Sequence, residues 1–159
     1  MQFTVVPVPV EGPADNEIWY TTTDGNPITR VEVVTPDGTI SVGGSENTLI
    51  SNTYENGIGK LIFDKPITIL HGCLPFMSSF FSSDVCQSNV SSITLPKNIS
   101  EFEVFALSGC IYLTELYYMG TIEQWNQIEK PLNADTDPWY FESPISTIHC
   151  TDGDIIPAA

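Results

Sequence analysis

The sequence predicts a β-rich α+β chain: an N-terminal β-meander, a very short repeat solenoid, and a C-terminal helix–strand cap. Three observations point to it. Residues recur at a spacing of about 23–24, which marks stacked structural units. Short β-branched runs separated by Asp-Gly and Gly-Gly turns precede the repeats. A capped amphipathic helix and one more β-branched run follow them.

Residues 1–15 read as an extended arm or linker. Pro7, Pro9 and Pro13 cannot donate to a ladder, and the stretch ends in Glu11-Gly-Pro-Ala-Asp15. Residues 16–64 read as a β-meander. Glu17–Thr22 is strand-like, and Asp24-Gly25 turns the chain before Pro27 and Ile28. Arg30-Val-Glu-Val-Val34 and Thr39–Val42 form a strand pair about the Pro36-Asp37-Gly38 turn. Gly43-Gly44 breaks the second strand. Another strand is expected near Thr48–Tyr54, and Gly57 and Gly59 punctuate the chain before Lys60–Phe63.

Residues 65–119 carry the repeats. One copy reads Phe81-Ser-Ser-Asp-Val-Cys86, then Val90, Ile93, Leu95 and Pro96. The next reads Phe105-Ala-Leu-Ser-Gly-Cys110, then Leu113, Leu116 and Tyr118. Phe81 and Phe105 are 24 apart, as are Cys86 and Cys110. Val90 and Leu113, Ile93 and Leu116, and Leu95 and Tyr118 are each 23 apart. That period lies in the range of leucine-rich repeats, where each coil supplies one strand and one helical or irregular turn. Ile67-Thr-Ile69 starts an earlier coil, with an insertion of roughly eight to ten residues, by comparison with that repeat length. Asn98-Ile-Ser-Glu-Phe102 restarts the pattern, and 104–107 read as a short helical turn.

Residues 120–159 read as the cap. Thr121-Ile-Glu-Gln124 has capping-box form, with Thr121 as N-cap and Gln124 reaching back. Trp125 lies on the apolar face as a core plug, and Pro131 ends the helix. A polar loop over 133–137 leads to Trp139-Tyr-Phe141, read as cap packing. Ile145–Cys150 is the final strand, closed by an Asp152-Gly153 turn. The physical logic is that a solenoid end exposes edge strands and apolar core, so both ends need covering.

The charge balance narrows the partners. Five Lys+Arg stand against 20 Asp+Glu, a net charge of −15. Nucleic acid is excluded as a partner, because phosphate binding needs clustered cations. Anionic membrane surfaces are disfavoured for the same reason, and no run approaches the ~20 apolar residues of a membrane span. The start Met1-Gln-Phe-Thr-Val-Val lacks the basic, long-apolar and cleavage regions of a leader. A chain that is not exported and one whose leader is replaced by Met1 both fit. The four cysteines, Cys73, Cys86, Cys110 and Cys150, contain no C-x-x-C pair, which argues against zinc. Cys86 and Cys110 share a repeat position and are expected to stack as buried small side chains, free or paired.

No catalytic constellation is visible. His71 and His149 lack a matching nucleophile, and the serines of 78–83 contain no Gly-x-Ser-x-Gly elbow. His149 and Cys150 are adjacent on an expected strand, so they point to opposite faces and cannot form a dyad. A non-enzymatic protein without a cofactor is expected. Asp152 with Asp154, or Asp135 with Asp137, could offer calcium oxygen ligands, but solvated turns explain them as well. Asn89-Val-Ser and Asn98-Ile-Ser have sequon form and read as turn asparagines. Exposed tyrosines are the best binding candidates. Tyr118 aligns with Leu95 and belongs inside, which turns Tyr117 outward on the strand. Tyr112 precedes the same strand. Surface tyrosine favours protein or glycan contact.

The pattern Ile99-Ser-Glu-Phe102, Phe105, Cys110, Leu113, Leu116 with the Leu95-Pro96 ending resembles the BspA-type leucine-rich repeat proteins, a bacterial surface family. Gly120-Thr-Ile-Glu-Gln-Trp125-Asn-Gln-Ile128 and Ile148-His-Cys-Thr-Asp-Gly153 resemble the end piece of such chains. Asn16–Gly25 and Ser51–Gly57 resemble an N-terminal module seen with them. The resemblance covers about residues 16–154. It departs from the family in having only two or three repeats and in placing Ala106 after Phe105. It implies a cell-surface or secreted adhesion module that binds a protein or matrix ligand. The alternative is a structural subunit of a larger assembly, such as a phage or prophage tail component. That alternative allows an oligomer and a cytoplasmic or phage-associated location.

Overall fold

Strict alternation over Glu17-Ile-Trp-Tyr-Thr-Thr22 buries Ile18 and Tyr20 and turns Trp19 and Thr21 to the other face. The same alternation recurs in the strands at 58–63 and 115–118 of the computed structural model, which describes residues 12–28, 49–70, 89–102, 107, 110–130 and 144–157. Its elements are β1 (Glu17–Thr22), β2 (Leu49–Glu55), β3 (Ile58–Phe63), β4 (Ile69–Leu70), β5 (Val90–Leu95), β6 (Glu101–Phe102) and β7 (Glu115–Tyr118). They are followed by α1 (Ile122–Gln127), β8 (Thr147–Cys150) and β9 (Gly153–Ile155). The described chain is therefore strand-rich, with one helix of under two turns.

A seven-stranded sheet has the order β2-β3-β1-β5-β7-β8-β9. Four of its six neighbouring pairs are antiparallel; β5–β7 and β7–β8 are parallel. The β5–β7 register sets Ile93 against Leu116 and Leu95 against Tyr118, the 23-residue offset visible in the sequence. The next step, from Glu115 to Thr147, is 32 residues. A second parallel ladder pairs Ile69 with Glu101 and Leu70 with Phe102. Glu129 extends it by a parallel bridge to Glu101. Between the two ladders lies a core that includes Leu70, Ile93, Leu95, Phe102, Leu116 and Ile148.

The N-terminal strands differ from the expected meander. β1 pairs with β3 and not with β2, and its other side pairs directly with β5. The 16–64 segment thus continues the repeat strands as one sheet. Residues 12–15, expected in the arm, also pack on this body: Pro13 is buried, and the Ile67 N–H donates to the Asp15 carbonyl at 2.8 Å. The β2–β3 turn is Asn56-Gly57, with both residues at positive φ (52° and 81°), the pair a two-residue hairpin favours. Gly59 is inside β3 rather than a break. It stands between Tyr20 of β1 and Tyr54 of β2, and a Cβ there would overlap the Tyr20 ring.

Helix α1 starts as its capping box requires. The Gln124 N–H donates to Thr121 Oγ1 at 3.1 Å, and the Thr121 N–H donates to Gln124 Oε1 at 2.9 Å. It ends before Pro131, because Ile128 turns extended into the core and Glu129 is drawn into the second ladder. There the Phe102 N–H donates to the Glu129 carbonyl at 2.8 Å, and the Glu129 N–H to the Ser100 carbonyl at 2.9 Å. Trp125 is buried between the rings of Phe102 and Tyr118, each 5.5 Å away. Lys130 donates to the Ile128 carbonyl and to the Trp125 carbonyl, which also accepts the Ile128 N–H, at the helix end. The Asp152-Gly153 turn does not close the chain: β9 follows it and pairs back on β8.

The expected strands at 30–34 and 39–42 and the Pro36–Gly38 turn lie outside the described residues. So do the coil insertion, residues 104–106 of the helical turn expected at 104–107, Phe81, Cys86, Phe105 and the 139–141 aromatics.

Candidate functional site

One face of the sheet is turned away from the core, and the register aligns its side chains in a row across all seven strands. Thr53, Lys60, Trp19, Thr94, Tyr117, His149 and Asp154 are successive partners from β2 to β9. The row is built by alternation. The five inner members are neighbours of buried residues, such as Leu61, Ile18, Ile93, Leu116 or Ile148, while Thr53 and Asp154 adjoin Tyr54 and Ile155, which are partly buried against the core.

The two ends of the row are held by specific contacts. On one side Lys60 Nζ lies 4.3 Å from the centroid of the Trp19 ring, a cation–π contact, and Trp19 Nε1 donates to Glu17 Oε2 at 3.0 Å. On the other side Tyr117 stacks on His149, with centroids 4.6 Å apart and planes at 21°. His149 in turn sits between two carboxylates: Nε2 lies 2.5 Å from Glu115 Oε2 and Nδ1 lies 2.8 Å from Asp154 Oδ1. Partial burial opposes the imidazolium charge. The hydrogen bonds and charges of Glu115 and Asp154 outweigh it and hold the pKa above the ordinary imidazole value.

Between these ends is a shallow concavity of about 240 Å³, lined by Trp19, Thr21, Ile58, Ser92, Thr94 and Tyr117. Trp19 and Tyr117 flank it two strand spacings apart, roughly 10 Å. Its floor is hydroxylated, and Thr21 Oγ1 bonds the hydroxyls of both Ser91 (2.8 Å) and Ser92 (2.5 Å). The arrangement is suited to holding a flat or ring-shaped group by stacking and hydroxyl contact.

Tyr117 is 41% exposed and Tyr118 is buried, with its hydroxyl donating to the Lys97 carbonyl at 2.9 Å. Tyr112 is also exposed, but it sits in the turn before β7 and does not line the concavity. Tyr117 is brought together with Trp19, Thr94 and His149, none of them a binding candidate from sequence. The signal for Trp19 was present, since alternation around Ile18 and Tyr20 puts it on the open face.

Asp152 accepts the Ile122 N–H at 2.8 Å and Asp154 pairs with His149, so the two carboxylates serve different partners. Among the described residues no group of three or more His, Cys, Asp or Glu could hold a metal. Asp135 and Asp137 lie outside the described residues. The Asn89 amide donates to Asp24 at 2.9 Å; that bond and the Asn26 N–H hold the Asp24 carboxyl below its usual range. Cys110 is buried, and Cys150 is a free thiol whose pKa burial pushes up. Cys150 packs against the core while His149 is on the open face. Among the described residues no helix is long and apolar enough to cross a membrane. Compared with family models, curated proteins and solved structures, the chain finds no match.

Proposed function

We propose that this chain is a non-enzymatic recognition module of a bacterial cell-surface or secreted protein, built on a short leucine-rich-repeat stack of the BspA type. The observation that carries the reading is the exposed Tyr117, in register with Trp19 and His149 and set on a strand that pairs in parallel with β5 at a 23-residue offset. On this reading β5 and β7 are successive coils, the N-terminal strands cover one end, and α1 with β8 and β9 covers the other. The open face is then the surface that meets a protein or matrix ligand, as stacked repeats commonly present one.

The test is binding of the chain and its Tyr117→Ala variant to extracellular matrix and host-surface protein preparations. The variant is expected to lose binding by roughly tenfold or more, the loss typical of an anchoring aromatic, with unchanged circular dichroism. Undiminished binding would remove Tyr117 from the surface. Protease shaving of intact source cells tests location: loss of the chain supports the outside, and protection until lysis refutes it.

A second reading, a subunit of a larger assembly, draws support from the sheet edges. Among the described residues β2 and β9 have no outer partner, and Ile50 within β2 and Ile156 just after β9 are 64% and 79% exposed. It requires a stable oligomer at micromolar concentration. A monomeric mass by light scattering rules it out.

A further inference from the structure

We propose that the slot between Trp19 and Tyr117 binds a neutral saccharide ring, stacked on the aromatic side chains and hydrogen-bonded to the hydroxyl floor of Ser92 and Thr94. This rests on the recognition reading and names the ligand class of the same face. Size is the first argument. At about 240 Å³ the slot is below the ~300–1,000 Å³ of pockets for drug-sized ligands, so it admits a single ring.

Charge is the second argument. The Trp19 ring already carries the Lys60 ammonium, so a cation on its other face would meet a quadrupole in use. Tyr117 is backed by His149, whose two carboxylate partners favour the imidazolium. A cationic ligand is therefore disfavoured at the Trp19 wall, and the Tyr117 wall is already engaged by the charge-paired His149. An anionic ligand is disfavoured by Glu17 and Glu115 on the same face and by the net charge of −15. What remains is a neutral group with apolar faces and a polar rim, which is the surface chemistry of a pyranose.

Topology is the third argument. β1, β5 and β7 are interior strands with partners on both sides, so a peptide cannot bind here by strand addition. The side chains that face the ligand offer π-faces, hydroxyls and the apolar Ile58. A ring fixed by its backing contacts also loses little freedom on binding.

The experiment is saturation-transfer NMR on the full chain. The neutral probes are cellotriose, maltotriose, mannotriose and galactotriose; trigalacturonate and a proline-rich decapeptide are the contrasts. At least one neutral trisaccharide is expected to bind through its ring CH groups. Trp19→Ala should weaken that binding by about tenfold or more. Thr94→Lys fills the slot from a non-core position and should abolish it even if the tryptophan variant folds poorly. No transfer to any neutral probe, or transfer unchanged in Thr94→Lys, overturns the proposal. Binding of trigalacturonate or the peptide alone also overturns it. If the peptide binds and depends on Tyr117, the saccharide assignment fails while the recognition reading stands.

Discussion

His149 has a carboxylate at each ring nitrogen, and only the imidazolium can donate to both. Its pKa in the folded chain lies above the ordinary value of ~6.5. The sign of the linkage follows. The two ion pairs contribute fully below that value and are lost as pH rises through the folded-state pKa. Because all three groups are partly exposed, solvent screening keeps the contribution to no more than about 1 kcal/mol. The urea midpoint is therefore expected to fall as pH rises from the ordinary imidazole pKa of ~6.5 through the raised folded-state value, and His149→Gln should flatten part of that fall. Identical pH profiles for the two proteins would show that the clasp contributes nothing. The same clasp holds the ring against which Tyr117 stacks, so it also bears on the binding face.

Among the elements, β3 shows why a glycine inside a strand is not always a break. Gly59 lies between Tyr54 and Tyr20 on neighbouring strands, whose ring centroids are 5.9 Å apart. The missing side chain is the space that the Tyr20 ring fills. Tyr20 is buried, and its hydroxyl is satisfied by donating to Asn52 Oδ1 at 2.6 Å and accepting from the Ile28 N–H at 3.3 Å. Gly59→Ala forces the ring out of this position. The expected cost is about 1–3 kcal/mol, read as a lower urea midpoint at unchanged slope. No change in midpoint would mean the ring is not confined there. In β5 and β7 the element was legible in advance, since Ile93, Leu95, Leu116 and Tyr118 all alternate and repeat. For α1 the start was legible from Thr121 and Gln124, but the end was not. Pro131 marks a late limit, while the actual end follows from Glu129 joining a ladder with Glu101, a partner 28 residues away.

At the scale of the whole molecule, the β1–β5 pairing decides how the parts cohere. It joins the N-terminal hairpin to the repeat strands by a ladder that runs from Trp19–Thr94 to Thr22–Val90. Ile18, Leu61 and Phe63 then share one core with Ile93, Leu116 and Ile148. A single cooperative unfolding transition is expected, with tryptophan fluorescence and circular dichroism coinciding. Two separated transitions would mean that residues 16–64 fold as an independent unit.

The sequence by itself determined the local facts: which residues alternate, where the 23-residue repeat sets the register, how the helix is capped, and that Tyr117 faces outward while Tyr118 is buried. These follow from periodicity and short-range hydrogen bonding, which depend on neighbours along the chain. Tertiary structure alone decided that β3 lies between β2 and β1, that Gly59 is a seat for Tyr20, and that Trp19, Thr94, Tyr117 and His149 form one row. Those four residues span 131 positions in the chain. Their meeting depends on strand order, and strand order is set by which buried faces pack together rather than by any local pattern.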